Sequence, residues 1–131
     1  MKRLTPNLLI PEHLDIYADT NMLKTIFQNL MSNAIKYSYP GEIITINAEL
    51  KNNQIEISVS DKGKGMSEET INKLFKIDKH VSEPGTSNEK GSGLGLILCK
   101  DFIDRHNGLI WVESNPGEGS KFIFRIPQEE G

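Results

Sequence analysis

Residues 21–38, NMLKTIFQNLMSNAIKYS, place Leu23, Ile26, Phe27, Leu30, Met31 and Ala34 at three- and four-residue spacing. At about 100° per residue this gathers them along one side of an α-helix. A helix with a single apolar side needs a surface to cover. The rest of the chain supplies one: residues 42–50, 54–60, 109–113 and 121–126 alternate apolar with polar side chains and are rich in β-branched types. They read as strands joined in two hairpins, the first through Lys51-Asn52-Asn53 and the second through Asn115-Pro116-Gly117-Glu118-Gly119-Ser120. Residues 14–18, LDIYA, fit a short edge strand, and Asp19 or Thr20 then caps the long helix. Pro40-Gly41 stops it. Ser67, followed by Glu68 and Glu69, opens a short helix through Leu74 and Phe75. Ile97, Leu98, Phe102 and Ile103 mark another that ends at Asn107-Gly108, with His106 as a helix C-terminal residue. The order is strand, helix, hairpin, short helix, polar loop, helix, hairpin.

A chain of 131 residues, 37% hydrophobic and 25% charged, suits one soluble domain with a real core. The net charge of −3 gives no support to nucleic-acid binding. One cysteine, Cys99, excludes an internal disulfide and fits a reducing compartment. It falls in an apolar helical pattern, where a small core residue is the plain reading. No apolar run reaches membrane-spanning length and the first residues lack a signal-peptide pattern. Residues 1–13 read as a tail or linker from an upstream domain, and 128–131 as a frayed end. The expectation is a cytoplasmic fragment making no membrane contact, with any anchor of its parent elsewhere.

Asn29, Asn33 and Lys36 fall within roughly 60° of one another on the long helix, beside the apolar stripe. Asparagine gains little inside a helix unless its amide has something to bond. A half-exposed polar border is the plain alternative, and the glycine clusters decide between the two. After the second strand comes Asp61-Lys62-Gly63-Lys64-Gly65-Met66. A carboxylate at a strand end, followed by Gly63 and Gly65, lets backbone approach a flat ligand closely, although a strand-to-helix turn accounts for the same residues. Residues 76–91 are polar, with Pro84-Gly85 at the middle, as in a functional lid or a disordered loop. His80 within it reads as solvated. Gly91-Ser92-Gly93-Leu94-Gly95-Leu96 then runs into a helix, and a glycine-rich loop at a helix N-terminus is a ready phosphate site. Its G-x-G-x-G spacing after a polar loop fails the dinucleotide fingerprint, and no phosphate-binding G-x-x-x-x-G-K-[ST] loop occurs.

Four stretches therefore stand in a fixed order: N-L-M-S-N-A-I-K-Y at 29–37, D-K-G-K-G at 61–65, G-S-G-L-G-L at 91–96 and G-E-G-S at 117–120. Together they closely resemble the catalytic and ATP-binding domain of sensor histidine kinases, in the superfamily that includes DNA gyrase and the heat-shock chaperones. The likeness covers residues 14–127, and Phe75-Lys76-Ile77-Asp78 looks like the family's phenylalanine box before the lid. It implies an α/β (α+β) two-layer sandwich of the Bergerat type. About three helices cover a mixed sheet of about five strands, and a mobile ATP lid spans about residues 76–92.

The resemblance also implies roles. Asn33 matches the Mg²⁺ ligand, a neutral amide oxygen completing a shell of phosphate oxygens and waters. Asn29 matches the asparagine facing the triphosphate, Lys36 the residue that neutralises phosphate charge, and Tyr37 the ring near adenine. Asp61 matches the carboxylate that accepts the adenine amino group. Gly63, Gly65 and Met66 belong to the same box, with Gly65 leaving room for the ring. Gly91, Gly93, Leu94, Gly95 and Leu96 match the backbone donors to phosphate, and Lys76 a basic residue reaching the γ-phosphate. Lys79 and Lys90 are weaker candidates. Ser120 sits at the last glycine box near the purine. ATPase members of the superfamily carry a Glu one turn before the metal-binding Asn; here Asn29 stands there and cannot act as a general base. Transfer to a protein acceptor is thus favoured over rapid hydrolysis. His13 lacks the sequence context of the family's acceptor histidine. The implied partners are a separate histidine-containing dimerisation domain and, downstream, a response-regulator receiver domain. A serine kinase of the same superfamily and a degenerate nucleotide-binding module are the alternatives.

Overall fold

The long amphipathic helix forms as α1 (Thr20–Tyr37), capped by Asp19, whose side chain accepts the Met22 N–H at 2.9 Å. The computed structural model describes residues 5–9, 18–74 and 94–128. Ile26, Leu30 and Ala34 are buried on the inner face of α1, with Leu23, Phe27 and Met31 packed alongside them. This is the stripe read from the sequence. α1 ends at Ser38, three residues before Gly41, whose φ of +88° suits the turn into the sheet.

The sheet has five strands among the described residues, in the order β1 (Thr5–Leu9), β2 (Ile43–Lys51), β3 (Gln54–Asp61), β5 (Ser120–Pro127), β4 (Leu109–Ser114). β1 runs parallel to β2 and every other pair is antiparallel, so the sheet is mixed. The β2–β3 loop is Asn52-Asn53, both with positive φ (49° and 63°), which suits a tight two-residue turn in a right-twisting hairpin.

The edge strand differs from expectation. It forms from Thr5–Leu9, inside the stretch read as a linker, while Ala18, the last residue of the expected 14–18 strand, lies in a bend. Residues 10–17, which include His13, lie outside the described residues. Pro6 lies within β1, and a proline is tolerated there because β1 occupies the sheet edge.

α1, α2 (Glu68–Lys73, capped by Ser67) and α3 (Leu94–Arg105) are the described helices. The helical layer meets one face of the sheet. Ile44 and Ala48 of β2, Ile55, Ile57 and Val59 of β3, and Phe122, Phe124 and Ile126 of β5 all point into the same core, alternating with outward residues. Leu96, Cys99 and Ile103 of α3 complete it, and Phe27 meets Phe124 edge to face at 5.8 Å. The two-layer sandwich expected from the motifs is the fold observed. Among the described residues no helix is long and apolar enough to cross a membrane.

Candidate functional site

Three in-register residues end the core-facing columns of the sheet. Asp61 follows Val59 on β3, Ser120 precedes Phe122 on β5, and Ser114 follows Val112 on β4; Asp61 pairs with Ser120, and Ser120 with Ser114. Strand alternation therefore turns all three toward the helical layer at one end of the core. Asp61 is only 5% exposed and accepts the Ser120 N–H on Oδ1 at 3.3 Å. A carboxylate at the end of a hydrophobic column is costly to bury without a chemical purpose. That marks it as the first element of a site.

The loop after Asp61 is fastened to two neighbours. On one side it joins the end of α1: Lys64 N–H donates to the Tyr37 carbonyl at 3.2 Å, and Ser38 bridges to Gly63. A side chain at Gly63 would collide with the Tyr37 carbonyl. On the other side Gly117 N–H donates to the Lys64 carbonyl at 2.7 Å, and Gly65, at φ +68°, sits against the Asn115 carbonyl. The close approach that these two glycines permit is to the chain's own backbone. They dock the loop, and so set where Asp61 and Met66 stand. Met66 is buried, and its N–H donates to Ser114 Oγ at 2.9 Å.

The last turn of α1 and the loop itself each bring a cation to the Tyr37 ring. The ammonium of Lys36 lies 5.0 Å, and that of Lys64 5.2 Å, from the centre of the Tyr37 ring. One to two turns earlier, half-buried Asn33 and Asn29 lie on the same side of the helix. Asn29 Nδ2 donates to the Thr25 carbonyl at 2.9 Å, which leaves its Oδ1 against Gly95, where any side chain would collide with it. Gly95 thereby lets the first turn of α3 close on α1. Leu94, Gly95 and Leu96 open α3, where backbone N–H groups have no partners within the helix. Leu96 is itself buried. Asn29 thus faces a helix N-terminus suited to an anion.

The structure therefore brings together Asn29, Asn33, Lys36, Tyr37, Asp61, Gly63, Gly65, Met66, Leu94, Gly95, Leu96 and Ser120 around one side of the core. Lys76, Gly91 and Gly93, with Lys79, Lys90, His80 and the whole lid, lie outside the described residues. Sequence reading missed Ser114 and gave Lys64 no role. Counting alternate residues back along β4 from Ile110 and Val112 places Ser114 on the inner face, which is the signal that would have found it. His106 also does more than end a helix: Nδ1 donates to the Phe102 carbonyl at 2.8 Å and Nε2 accepts the Asp19 N–H at 2.9 Å, tying the end of α3 to the start of α1.

Chemically, this arrangement has a buried acceptor at the sheet end, cations at its middle and helix N–H donors at its far side. Those features suit a ligand with a donor-bearing flat head and an anionic tail. Among the described residues no cluster of three His, Cys, Asp or Glu could hold a metal. A hard cation held by one amide oxygen and otherwise by phosphate oxygens and waters needs no such cluster, so Asn33 fits Mg²⁺ accompanying a polyphosphate. A cleft of about 310 Å³ opens at this sheet end. Asp61, Ser114 and Ser120 line it together with Ser60, Glu113 and Lys121, so the cleft adjoins the same strand ends.

The sequence profile of the histidine kinase-, DNA gyrase B- and HSP90-like ATPases matches residues 18–130. The chain is 44% identical over 124 residues to the adaptive-response sensory kinase SasA of Prochlorococcus marinus, covering 92% of this chain and 32% of that protein. To the Synechococcus elongatus protein of the same name it is 40% identical, covering 86% of this chain and 29% of the relative. The chain thus spans about a third of the length of these relatives. Among solved structures, the catalytic domain of histidine kinase ThkA superposes with a TM-score of 0.82 at 31% identity, covering 95% of this chain and 79% of that one.

Proposed function

This chain belongs to the family of histidine kinase-, DNA gyrase B- and HSP90-like ATPases, and from that membership we propose that it is the ATP-binding catalytic domain of a sensor histidine kinase. The observation that carries the reading is Asp61, a buried carboxylate at the end of a core column, aimed at the same layer as Asn29 and the first turn of α3. Asp61 accepts the adenine amino group. Tyr37 lies beside the ring. Lys36 neutralises phosphate charge, and the opening N–H groups of α3 bind phosphate oxygens. Asn33 would hold Mg²⁺, which when bound would supply neutralisation of charge on the phosphate oxygens.

Phosphoryl transfer needs positioning and charge neutralisation more than covalent participation by the protein. The γ-phosphoryl group passes to a histidine on a separate dimerisation and acceptor domain, and from there to the receiver domain of a response regulator, on the cytoplasmic side of the membrane. Domain limits of about residues 14–127, with β1 added to the sheet, frame this catalytic unit. Support for a kinase over a hydrolase comes from Asn29, because an amide cannot take a proton from water.

Calorimetric titration with a non-hydrolysable ATP analogue, with and without Mg²⁺, tests the reading. Mg²⁺-sensitive binding is the expected result. A folded sample that binds no nucleotide would shift the assignment to a degenerate regulatory module.

A further inference from the structure

Ser114 closes β4, and its hydroxyl sits where three segments distant in sequence meet. Its Oγ accepts the Met66 N–H at 2.9 Å, donates to the Gly119 carbonyl at 2.7 Å, and lies 2.9 Å from Ser120 Oγ. A serine hydroxyl has one proton and two lone pairs. The Gly119 carbonyl can only accept, so the Ser114 proton is committed there. In the contact between the two serines, Ser120 is then the donor. Both lone pairs of Ser114 and its one proton are in use.

This direction has a consequence at the base end of the site. With its proton turned to Ser114, Ser120 Oγ offers only lone pairs to its other surroundings. Its backbone N–H points at Asp61 Oδ1, and the carboxylate of Asp61 is likewise an acceptor. Two neighbouring side chains on the inner face therefore both accept. A purine edge carrying an amino group matches that polarity, and one carrying a carbonyl opposes it. Leaving a buried acceptor against another acceptor is far more discriminating than a small change of shape.

We infer that Ser114 is a specificity-determining positioning residue: by fixing the Ser120 hydroxyl as an acceptor and tying Met66 to Gly119, it makes the base end of the site select a 6-amino purine over a 6-oxo purine. The inference rests on the nucleotide-binding reading above. The surrounding clasp supports it independently. The Gly117–Lys64 hydrogen bond and the seating of Gly65 on Asn115 hold the same two loops together, and Ser114 is the side chain that joins both to the strand end.

The test compares Ser114→Ala and Ser114→Thr with the unchanged chain. Affinity for non-hydrolysable ATP and GTP analogues is read by calorimetry, and amide exchange at Met66 is read without nucleotide. Ser114→Ala should weaken ATP binding about tenfold, the scale of one or two hydrogen bonds, while GTP binding changes less, so that discrimination falls. Exchange at Met66 should quicken. Ser114→Thr, which keeps the hydroxyl, should restore both. If Ser114→Ala does not fold, Ser114→Thr against Ser114→Val makes the same comparison at constant shape. An unchanged ATP-to-GTP ratio in the variants lacking the hydroxyl overturns the inference, and so does an equal loss for both nucleotides. If the unchanged chain binds neither nucleotide while Met66 exchange still depends on Ser114, the clasp stands and the nucleotide reading falls, taking the specificity role with it.

Discussion

Asp61 has 5% of its surface exposed, and on the proposed reading one heteroatom of its side chain decides what the base end of the site binds. Asp61→Asn keeps the shape and replaces an acceptor oxygen with a donor amide. On the proposed reading this variant loses adenine selectivity and most ATP affinity, by about tenfold or more, as befits a hydrogen bond to a charged group. Calorimetry on a variant whose circular dichroism matches the parent checks it; retained affinity contradicts the adenine role. Cys99, fully buried on α3 with its thiol donating to the Ile26 carbonyl of α1, tests the core instead. Burial pushes its thiol up from 9.0 to about 12, against the opposing pull of a hydrogen bond with Asn29. The fold favours the protonated thiol, so the unfolded chain gives up its proton first. The contribution is intact below pH 9.0 and is lost progressively as pH rises toward about 12, at up to ~1.4 kcal/mol per pH unit. Urea unfolding on either side of pH 9.0 should show a steeper alkaline loss for the parent chain than for Cys99→Ala; parallel slopes would show that the fold does not raise the thiol.

At the scale of elements, what could be read in advance divides by the distance over which the signal acts. α1 was legible because its stripe repeats locally, and the three core columns of the sheet were legible because alternation is also local. The motifs singled out Asp61 and Asn29 for the same reason. Local pattern failed at Thr5–Leu9, inside the stretch read as a linker, where pairing with β2 makes the strand. It failed again at Ser114 and His106, whose partners lie 48 and 87 residues away. It also left out what Gly65 packs against. The glycine was read as room for a ring, whereas the structure sets it against the Asn115 carbonyl of the β4–β5 loop. Two alanine substitutions separate conformational strain from this docking. Gly41 (φ +88°) has nothing within 4 Å of an added Cβ, so Gly41→Ala should cost only about 1 kcal/mol in chemical unfolding. Gly65→Ala carries the same backbone penalty plus a collision with backbone, so it should cost several-fold more and displace the β4–β5 loop. Equal costs at the two positions would mean that the loops are not held together as the structure has them.

At the scale of the whole molecule, the proposed reading gives the chain the nucleotide half of a two-part reaction. It spans about a third of the sensory kinases it resembles. His106 has both ring nitrogens engaged, one with Phe102 and one with Asp19, and is therefore a structural tie between helices, not an acceptor. Asn29 has its amide nitrogen on Thr25 and its oxygen against Gly95, with no group that could draw a proton from water. Given ATP and Mg²⁺, this chain alone should neither label itself with phosphate nor hydrolyse ATP faster than a few turnovers per hour, a rate far below ordinary enzyme turnover. Supplied with the acceptor domain in trans, it should form acid-labile phosphohistidine there, and Asn33→Ala should reduce that transfer with the fold preserved. Labelling of the isolated chain would mean that an acceptor lies within it. Sustained hydrolysis would mean that water is activated by a residue other than Asn29, and the chain would then stand with the ATPases of its family. The two failures differ in product, phosphoprotein in one case and free phosphate in the other, so a single radiolabelled reaction separates them.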